Sequence, residues 1–459
     1  MKIAFVGSRG IPAHYSGFET AIEHLSRLLS ERGHEIIVYC RKHDVSEIRS
    51  EYMGARLIHL PSLRYKYFDT LSHTFVSSLH MVFRARPDVA VYVIAGNSPM
   101  LVIPKLGRIP AVINVDGLDW TREKWPSWAK AYIRLAEWLA PRLALVVTDA
   151  REVKQYYREK FRRETVYIPY GAAPPRSRGT ATLDRFGLEP GKYVLYVGRF
   201  VPENKVNLLV AAYRKVRTDL PLVVVGGSSY EDEFVSQVKA MADERVVFTG
   251  YVFGDGYDEL RTHAMTMVVP HGSGGTHPVL VEALAAGQCV IVNDNPENRE
   301  VVGPAGLYFD EAAGDADLAA KLQMAIDDDA LAAKMRAHAV DRARIYSWER
   351  VASAYEAAIQ AARDHSALDG IAFDGRTVDS WWRRRAEGGA VPAGIQDRRN
   401  GRGDRRAGAS GEAESVVDER AARVRTKADG KDGPAAHRAD GAAAGRAERS
   451  VTQRDGEIV

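Results

Sequence analysis

The chain has 459 residues, of which 63 are Lys or Arg and 60 are Asp or Glu, and its formal net charge is +3. This length predicts two or three domains with ample core, and so mild a charge balance neither requires nor excludes an anionic partner. The only cysteines, Cys40 and Cys289, do not fit a disulfide framework or a metal cluster and suit a reducing cytoplasm. The sequence shows no signal-peptide pattern and no apolar run of about 18 residues, so we expect a cytoplasmic protein without a transmembrane helix.

The first half of the sequence alternates predicted strands and helices. Five apolar segments predict strands at 3–6, 35–40, 89–94, 111–115 and 144–147. A helix is predicted at 19–31, between the first two strands, and another at 69–84. Strands that alternate with helices indicate a parallel sheet built from βαβ units. We therefore predict an N-terminal α/β domain over residues 1–172.

The second half repeats this pattern after a proline-rich break at 172–178. Strands are predicted at 193–197, 222–225, 246–249, 265–269 and 289–292, which indicates a second α/β domain over residues 173–346. A final helix falls within residues 347–365. Beyond it, residues 366–459 are rich in Arg, Ala, Gly, Asp and Glu, and we predict a disordered tail. Its one unusual segment, SWWRRR at 380–385, is interpreted as part of a passive tail, with docking on an anionic bilayer or on the protein's own surface as the alternative.

Segment 271–292 contains the clearest ligand-binding pattern. A glycine-rich loop leads into a helix that Pro278 opens, and a buried strand follows. N–H groups at a helix start attract anions, so the pattern predicts a phosphate site. Glu282, expected on the first turn, would accept hydrogen bonds from a sugar ring. The other candidate donor-binding residues here are Gly274, Gly275, Thr276 and His277.

A second segment, 192–200, is an apolar run that ends in Gly198-Arg199, and Lys205 follows in the next loop. In open α/β sheets ligands bind beyond the carboxyl ends of the strands. Arg can grip phosphate with several donors, while Lys supplies a compact charge. A strand-capping Arg and a solvated Lys are the alternatives for each residue alone. Together with the glycine-rich helix start, the two cations predict a phosphate-binding crevice.

Several motifs together resemble a known family. The Gly-Arg and Lys of 198–205, the segment GGTHPVLVEALAAGQCVI from 274, and YSWERVASAYEAAI at 346–359 resemble retaining glycosyltransferases of the GT4 type. KIAFVGSRGIPAHYSGFE at 2–19 and NVDGLDWTREKW at 114–125 are similar to the rhamnosyltransferase-like bacterial polysaccharide enzymes of that family. The resemblance covers roughly residues 1–364. It implies an α/β fold of the GT-B class, with two Rossmann-like domains facing across a cleft and a last helix that crosses back to the first domain.

The resemblance also implies an activity. We expect transfer of a sugar, L-rhamnose, from a dTDP- or UDP-linked donor to a lipid-linked glycan in cell-surface polysaccharide synthesis. It implies no metal and no further cofactor, and we expect no nucleic-acid partner. Alternatives from other classes are a non-catalytic nucleotide-sugar-binding subunit and a sugar-nucleotide epimerase or phosphorylase of the same architecture.

Further site residues follow from the resemblance. It places the loop after the first strand at the acceptor and the donor diphosphate, where a plain tight turn is the alternative. Asp116 follows the strand at 111–115 and is expected at the donor sugar or acceptor, where a capping aspartate is the alternative. His73, on the helix at 69–84, is the weakest candidate, since the pattern favours a satisfied surface or interdomain histidine over a functional one. The candidates are Arg199, Lys205 and Asp116 as catalytic residues, Gly10 at the donor, and Arg9, Gly17, Glu19 and His73 at the acceptor.

One departure from the family bears on the donor. Many members carry a second glutamate eight positions before the one that matches Glu282, and here Gly274 stands there. That glutamate usually meets donor hydroxyls, so its loss favours a donor with different hydroxyl geometry, such as a 6-deoxy-L-sugar. No DxD sequence stands at a predicted strand end near the cleft, and the one at 315–317 is explained by helix capping, in keeping with a metal-independent site.

The segment 119–142 interleaves tryptophans with Lys and Arg side chains. Such a basic, aromatic and amphipathic segment suits an anionic interface. It predicts a peripheral position at the inner face of the plasma membrane, with a helix packed on its own domain as the alternative.

Overall fold

The computed structural model describes residues 1–13, 17–44, 48–65, 68–121, 125–228, 233–272 and 276–365. The predicted tail at 366–459, with its SWWRRR segment, and the donor-loop glycines Gly274 and Gly275 lie outside the described residues. The described part contains two sheets in succession, each flanked by helices. This arrangement confirms the predicted fold class of two parallel α/β domains.

The N-terminal sheet has eight strands in the order β3-β4-β2-β1-β5-β6-β7-β8. Only the β3–β4 pair is antiparallel. The strands are β1 Lys2–Val6, β2 Glu35–Arg41, β3 Glu51–Tyr52, β4 Ala55–Leu60, β5 Val89–Val93, β6 Ala111–Asn114, β7 Leu145–Thr148 and β8 Val166–Tyr167.

Strand β1 shows why this sheet is buried on both faces. Successive side chains point to opposite faces of a strand. Ile3 and Phe5 accordingly join one hydrophobic cluster, and Ala4 and Val6 join another. The helices that cover the two faces are α1 Gly17–Glu31, α2 Asp69–His80, α3 Val102–Leu106, α4 Ser127–Leu143 and α5 Arg151–Phe161. Helix α2 continues into a π-helical turn at Met81–Ala85.

The second sheet has six parallel strands in the order β11-β10-β9-β12-β13-β14. They are β9 Val194–Val197, β10 Leu222–Val225, β11 Val246–Gly250, β12 Thr266–Val269, β13 Cys289–Asn293 and β14 Gly306–Phe309. The order reverses around β9, which lies between β10 and β12. Ligand crevices of open α/β sheets form at such reversals, beyond the carboxyl ends of the strands.

Helices α6 to α14 belong to the second half of the chain. They are α6 Ala181–Phe186, α7 Val206–Tyr213, α8 Glu233–Met241, α9 Gly254–His263, α10 Pro278–Ala285, α11 Pro296–Val302, α12 Asp315–Asp327, α13 Asp329–Ala343 and α14 Trp348–Asp364. No helix of the described segments has the length and apolar character needed to cross a bilayer.

Helix α14 returns to the N-terminal domain, as predicted. Its first residue, Trp348, stacks on His24 of α1 with ring centroids 4.5 Å apart. Further along, Glu356 accepts a hydrogen bond of 2.7 Å from Arg32 and lies 2.9 Å from His34. Since these contacts join segments more than 300 residues apart in sequence, α14 ties the two halves of the chain together.

Candidate active site

The donor loop, which we define as residues 270–277, joins β12 to α10. Pro278 is the first residue of α10, as predicted, and its missing N–H costs nothing there. Thr276, just before the helix, is 3% exposed. Glu282 is the fifth residue of α10 and therefore lies on its second turn, not on the first as the sequence predicts.

Thr276 contacts a residue of the other domain. Its backbone N–H donates to Asp149 Oδ2 at 3.0 Å, and its hydroxyl donates to the Asp149 carbonyl at 2.6 Å. Asp149 directly follows β7 and is completely buried. The carboxyl ends of the two sheets therefore meet at the donor loop. The Thr276 N–H, expected from the sequence to face a donor phosphate, is bound to this carboxylate, and Asp149 is a site residue that the sequence analysis missed.

Asp116 lies beside Asp149, beyond the end of the neighbouring strand β6. Its backbone has a φ of +58°, and its N–H donates to Asn114 Oδ1 at 2.9 Å. Asn114 in turn donates to the Tyr355 hydroxyl of α14 at 2.6 Å. Burial, the nearby charge of Asp116 and a hydrogen bond with the Asp116 carboxyl raise the pKa of Asp149 well above its usual range. The two aspartates therefore follow adjacent strands at the same edge of the N-terminal sheet.

Lys205 borders the donor loop from the loop after β9. A Cβ placed on Gly272 would lie 3.3 Å from Lys205 Cε and 3.9 Å from its Nζ, so the lysine stem packs on this glycine. Its ammonium group forms an ion pair with Glu311, which also accepts a 2.6 Å hydrogen bond from Asn293. Burial lowers the pKa of Lys205. The predicted cation is at the donor loop, with a carboxylate partner that the sequence did not indicate.

Arg199 follows β9 and is exposed, as expected for a residue facing a crevice. Asn204 donates to its carbonyl at 2.9 Å, which fixes the loop backbone. The positive charge of Arg199 affects the pKa of His271. His271 is 5% exposed, and its ring lies edge-on to the ring of His277 with centroids 4.7 Å apart. Burial, then His277 and Arg199, lower the pKa of His271 well below its usual range, so the imidazole is neutral. The arrangement places a cation beside a neutral buried imidazole.

Glu282, predicted to accept hydrogen bonds from a sugar ring, accepts a 2.7 Å hydrogen bond from the Tyr257 hydroxyl of α9. Burial raises the pKa of Glu282, and the charge of Arg261 opposes that shift. Arg261 is itself paired with Asp258 at 2.7 Å. The carboxyl is thus held in one orientation on the helix that begins at the donor loop.

The loop after β1 gives its two predicted residues different environments. Gly10 has a φ of +113°, and a Cβ there would lie 2.5 Å from the Cys40 sulfur. The position therefore requires glycine for packing against β2, whereas the sequence assigned it to donor binding. Arg9 is about two-fifths exposed and lies 3.7 Å from Asp44, so its guanidinium is at the surface of the N-terminal domain.

The predicted acceptor residues do not all reach the same place. Gly17 begins α1, and a Cβ on it would lie 2.7 Å from Pro278 Cγ, so this glycine lets α1 approach the start of α10. Glu19 is 2% exposed, near Cys40 and Arg41. His73 is completely buried, and burial lowers its pKa to about 4. The structure thus places Gly17 at the junction of the domains but gives His73 no surface to offer an acceptor.

One group of side chains in the described segments has the spacing of metal ligands. His43, Asp44 and Asp69 each place a ligand atom within 4.8 Å of the others. The buried Arg41 lies 2.8 Å from Asp69 and 3.4 Å from Asp44. Arg41 pairs with both carboxylates and Arg9 adds a second positive charge beside Asp44, so the group is explained as an ion-pair cluster.

Comparisons with known proteins match two different family models to two parts of the chain. Residues 184–344 match the family Glycosyl transferases group 1, and residues 1–173 match a domain of unknown function, DUF1972. The chain is 31% identical over 208 residues to a phosphatidyl-myo-inositol mannosyltransferase of Mycolicibacterium smegmatis, covering 44% of this chain and 53% of that protein. A Campylobacter jejuni N-acetylgalactosamine-N,N'-diacetylbacillosaminyl-diphospho-undecaprenol 4-alpha-N-acetylgalactosaminyltransferase is 28% identical over 188 residues, covering 39% and 50%. The chain spans about half the length of these two relatives.

Solved structures match over a larger part of the chain. A sucrose-phosphate synthase of Thermosynechococcus elongatus superimposes with a TM-score of 0.67 at 19% identity, over 80% of this chain and 100% of that one. The Anabaena protein Alr3699/HepE, solved with UDP and glucose, gives a TM-score of 0.65 at 16% identity, over 79% and 100%. At these identities the matches establish the fold, which is GT-B as predicted.

Proposed function

We propose that the protein is a retaining hexosyltransferase that uses a nucleotide diphosphate sugar. The match of residues 184–344 to the family Glycosyl transferases group 1 and the GT-B fold support this proposal. The observation that carries the proposal is the surroundings of the donor loop. Lys205 packs on Gly272, the charge of Arg199 lowers the pKa of His271, and α10 begins at Pro278. These features lie beyond the carboxyl ends of the adjacent strands β9 and β12. This is a cationic site with a helix start, which suits a diphosphate.

The chemistry follows from the charges. As the bond between the sugar C1 and the β-phosphate oxygen breaks, negative charge grows on the leaving diphosphate. Arg199 and Lys205 stabilise that charge, and the neutral His271 offers an N–H donor. The acceptor hydroxyl attacks C1 on the face that the diphosphate leaves, so the anomeric configuration is retained. Its proton passes to a phosphate oxygen, which balances the reaction without an enzyme nucleophile.

Asp116 and Glu282 take different parts in this proposal. Glu282 lies on α10, where its fixed carboxylate accepts hydrogen bonds from the nucleotide ribose. Asp116 lies at the end of β6, on the N-terminal side, and its carboxyl is directed to the sugar or the acceptor hydroxyl. No step in this sequence calls for a divalent ion, and transfer is expected to proceed without one.

L-Rhamnose, presented as a dTDP-sugar, is the proposed donor. The support is the glycine at position 274, where many relatives carry a glutamate that meets the hydroxyls of the donor sugar. A 6-deoxy-L-sugar presents different hydroxyls to this position. UDP in the Anabaena neighbour supports a nucleotide sugar in general, and UDP-hexoses are therefore the comparison set.

A lipid-linked glycan at a membrane surface is the proposed acceptor. The name of the Campylobacter relative specifies a diphospho-undecaprenol substrate, which supports such an acceptor. Helix α4 adds a second argument, because Trp128, Leu135 and Trp138 are 55%, 52% and 44% exposed along one face. The guanidinium of Arg142 lies 3.8 Å from the Trp138 ring centroid, so a cation accompanies the aromatic face. Aromatic and basic side chains together suit an anionic interface.

The first experiment is a thermal-shift panel of dTDP-, UDP- and GDP-sugars, followed by transfer assays with the donor that stabilises most. A ligand that binds the folded state raises its stability by mass action. We expect dTDP-rhamnose to raise the unfolding temperature more than the UDP-hexoses do. A shift with UDP-hexoses alone would support the proposed hexosyltransferase activity and would contradict L-rhamnose as the donor sugar. Tight donor binding without transfer to any lipid-linked acceptor would indicate a non-catalytic sugar-nucleotide-binding subunit instead.

A further inference from the structure

Tyr196 and His271 bring buried polar atoms together beside the donor loop. Tyr196 lies on β9 and is 0% exposed, and His271, which is 5% exposed, follows the neighbouring parallel strand β12. Neither the Tyr196 hydroxyl nor either ring nitrogen of His271 has a hydrogen-bond partner among the described residues. Leaving a buried polar group without a partner destabilises a fold, so two such side chains next to each other need an explanation.

Gly198 brings the two side chains to one point. It lies directly beyond β9 and shares the face of Tyr196, since alternate residues of a strand point the same way. A Cβ on Gly198 would lie 2.6 Å from Tyr196 Oη and 3.2 Å from His271 Nε2. The two rings meet edge-on with centroids 6.2 Å apart and do not bond to each other. A glycine here therefore keeps open a place that both polar atoms border.

The protonation states and charges at this point favour the oxygen of an anion. Burial raises the pKa of Tyr196, so its hydroxyl keeps its proton, and the neutral His271 carries one ring N–H. Both side chains can therefore donate. The charges that act on them come from Arg199 and His277, and no carboxylate of the described segments is among these charges. A bound cation would be unfavourable beside Arg199, whereas a phosphate oxygen accepts from both donors.

We propose that Tyr196 Oη and His271 Nε2 form a subsite for one oxygen of a phosphate group, over the open face of Gly198 and beside Arg199. The tyrosine O–H and the imidazole N–H donate to that oxygen. Both atoms are covered in the structure, so the His271 ring turns to admit the phosphate, and side-chain changes of this kind are common on binding. The subsite rests on the proposed function for the identity of its ligand, the donor diphosphate, and adds Tyr196 to the residues that bind it.

The first test compares two buried tyrosines without ligand. Tyr196→Phe removes a hydroxyl that has no partner among the described residues, so its unfolding temperature should equal or exceed that of the parent. Tyr193→Phe is the matched control, because Tyr193 directly precedes β9 and is also 0% exposed, but its hydroxyl donates to the Leu260 carbonyl at 2.6 Å. The control should unfold about 2 °C or more below the parent. A similar fall in Tyr196→Phe would show that its hydroxyl is bonded within the folded protein, for example to a buried water, and would overturn the subsite.

Binding measurements then test the ligand. The probes are dTDP, UDP and inorganic pyrophosphate, each titrated by calorimetry into the full chain. Tyr196→Phe loses one hydrogen bond to a charged group and should bind all three about tenfold more weakly, whereas Tyr193→Phe should bind them as the parent does. Unchanged affinities in Tyr196→Phe would overturn the subsite. A loss for dTDP and UDP but not for pyrophosphate would place the hydroxyl at the nucleoside and would overturn it as well.

Gly198→Ala tests the place itself. The new Cβ occupies the point that the two donors border, so the three probes should bind about tenfold more weakly. Combining this change with Tyr196→Phe should add little, because both act on the same oxygen, and fully multiplied losses in the double variant would overturn a common subsite. If the parent binds pyrophosphate but neither nucleotide, the proposed function is refuted and the subsite stands. Binding of none of the three probes by the parent would overturn the subsite.

Discussion

Replacing Lys205 with methionine tests the cationic donor site most directly. Methionine keeps an unbranched stem against Gly272 but removes the charge. At about 4 Å and an effective dielectric constant near 20, a full unit charge attracts another by about 4 kcal/mol. The partner Glu311 offsets part of this attraction, and only the charge that develops in the transition state counts towards kcat. We therefore expect a loss of about 3 kcal/mol, or roughly 10²-fold in kcat, as for a lost oxyanion donor.

The assay is steady-state transfer with the donor selected by thermal shift, with kcat and donor KM determined separately. Lys215→Met is the matched control, because Lys215 is also paired with a carboxylate, Asp315 at 2.7 Å. It lies beyond the far end of α7, an eight-residue helix about 12 Å long. We expect the control to stay within about twofold of the parent, since exposed ion pairs contribute little. A Lys205→Met enzyme within about threefold of the parent would refute the assignment of this lysine to the diphosphate.

Four other outcomes are expected. Gly17→Ala places a Cβ 2.7 Å from the first residue of α10, and we expect kcat to fall about tenfold while the protein still folds. Gly96→Ala is the control, because a Cβ at Gly96 meets nothing within 4 Å, and equal rates for the two variants would contradict the close approach of α1 to α10. Burial raises the pKa of Glu137 to about 7, so the protonated carboxyl contributes about 3 kcal/mol of stability below about pH 4.5, and this contribution is lost as pH rises through 7. Glu137→Gln should flatten the pH dependence of the thermal unfolding temperature, and an unchanged pH profile would contradict this role of Glu137. The double variant Trp128→Ser, Trp138→Ser should float less with vesicles that contain anionic lipid. Undiminished flotation would show that α4 does not make the membrane contact. Chelators should leave transfer intact, and a loss restored by Mg²⁺ or Mn²⁺ would contradict the metal-free site.

The regular elements with strong hydrophobic patterns were predictable. Every strand predicted from an apolar run is present to within about a residue, and Pro278 opens its helix. The strands that were not predicted are β3, β4, β8 and β14, and β3 and β8 have only two residues each. Strands so short carry no periodicity of their own, because their pairing partners fix them. The GT-B fold is confirmed, and the match of residues 184–344 to the family Glycosyl transferases group 1 supports the general resemblance to glycosyltransferases, while the rhamnosyltransferase-like part of it stays a prediction.

The candidate site was less predictable where a partner is distant in sequence. The Lys205–Glu311 ion pair joins residues 106 positions apart, and no local pattern marks Glu311 as its partner. His73 has the sequence context of an amphipathic helix, and only the packing of α2 on the sheet shows that it is fully buried. Asp149 follows a predicted strand, so its place at a carboxyl end could have been noticed. Its bond to Thr276, 127 residues away, could not.

The Asp149 contact also changes how the donor diphosphate must be bound. A helix start ordinarily supplies several N–H groups to an anion. At α10, Pro278 has no N–H, and the N–H of Thr276 is bound to a carboxylate. Fewer backbone donors at this helix start can therefore reach the phosphates than the sequence predicts. The stabilisation of the leaving group rests correspondingly more on Arg199 and Lys205, which is why loss of either charge should lower kcat rather than only weaken donor binding.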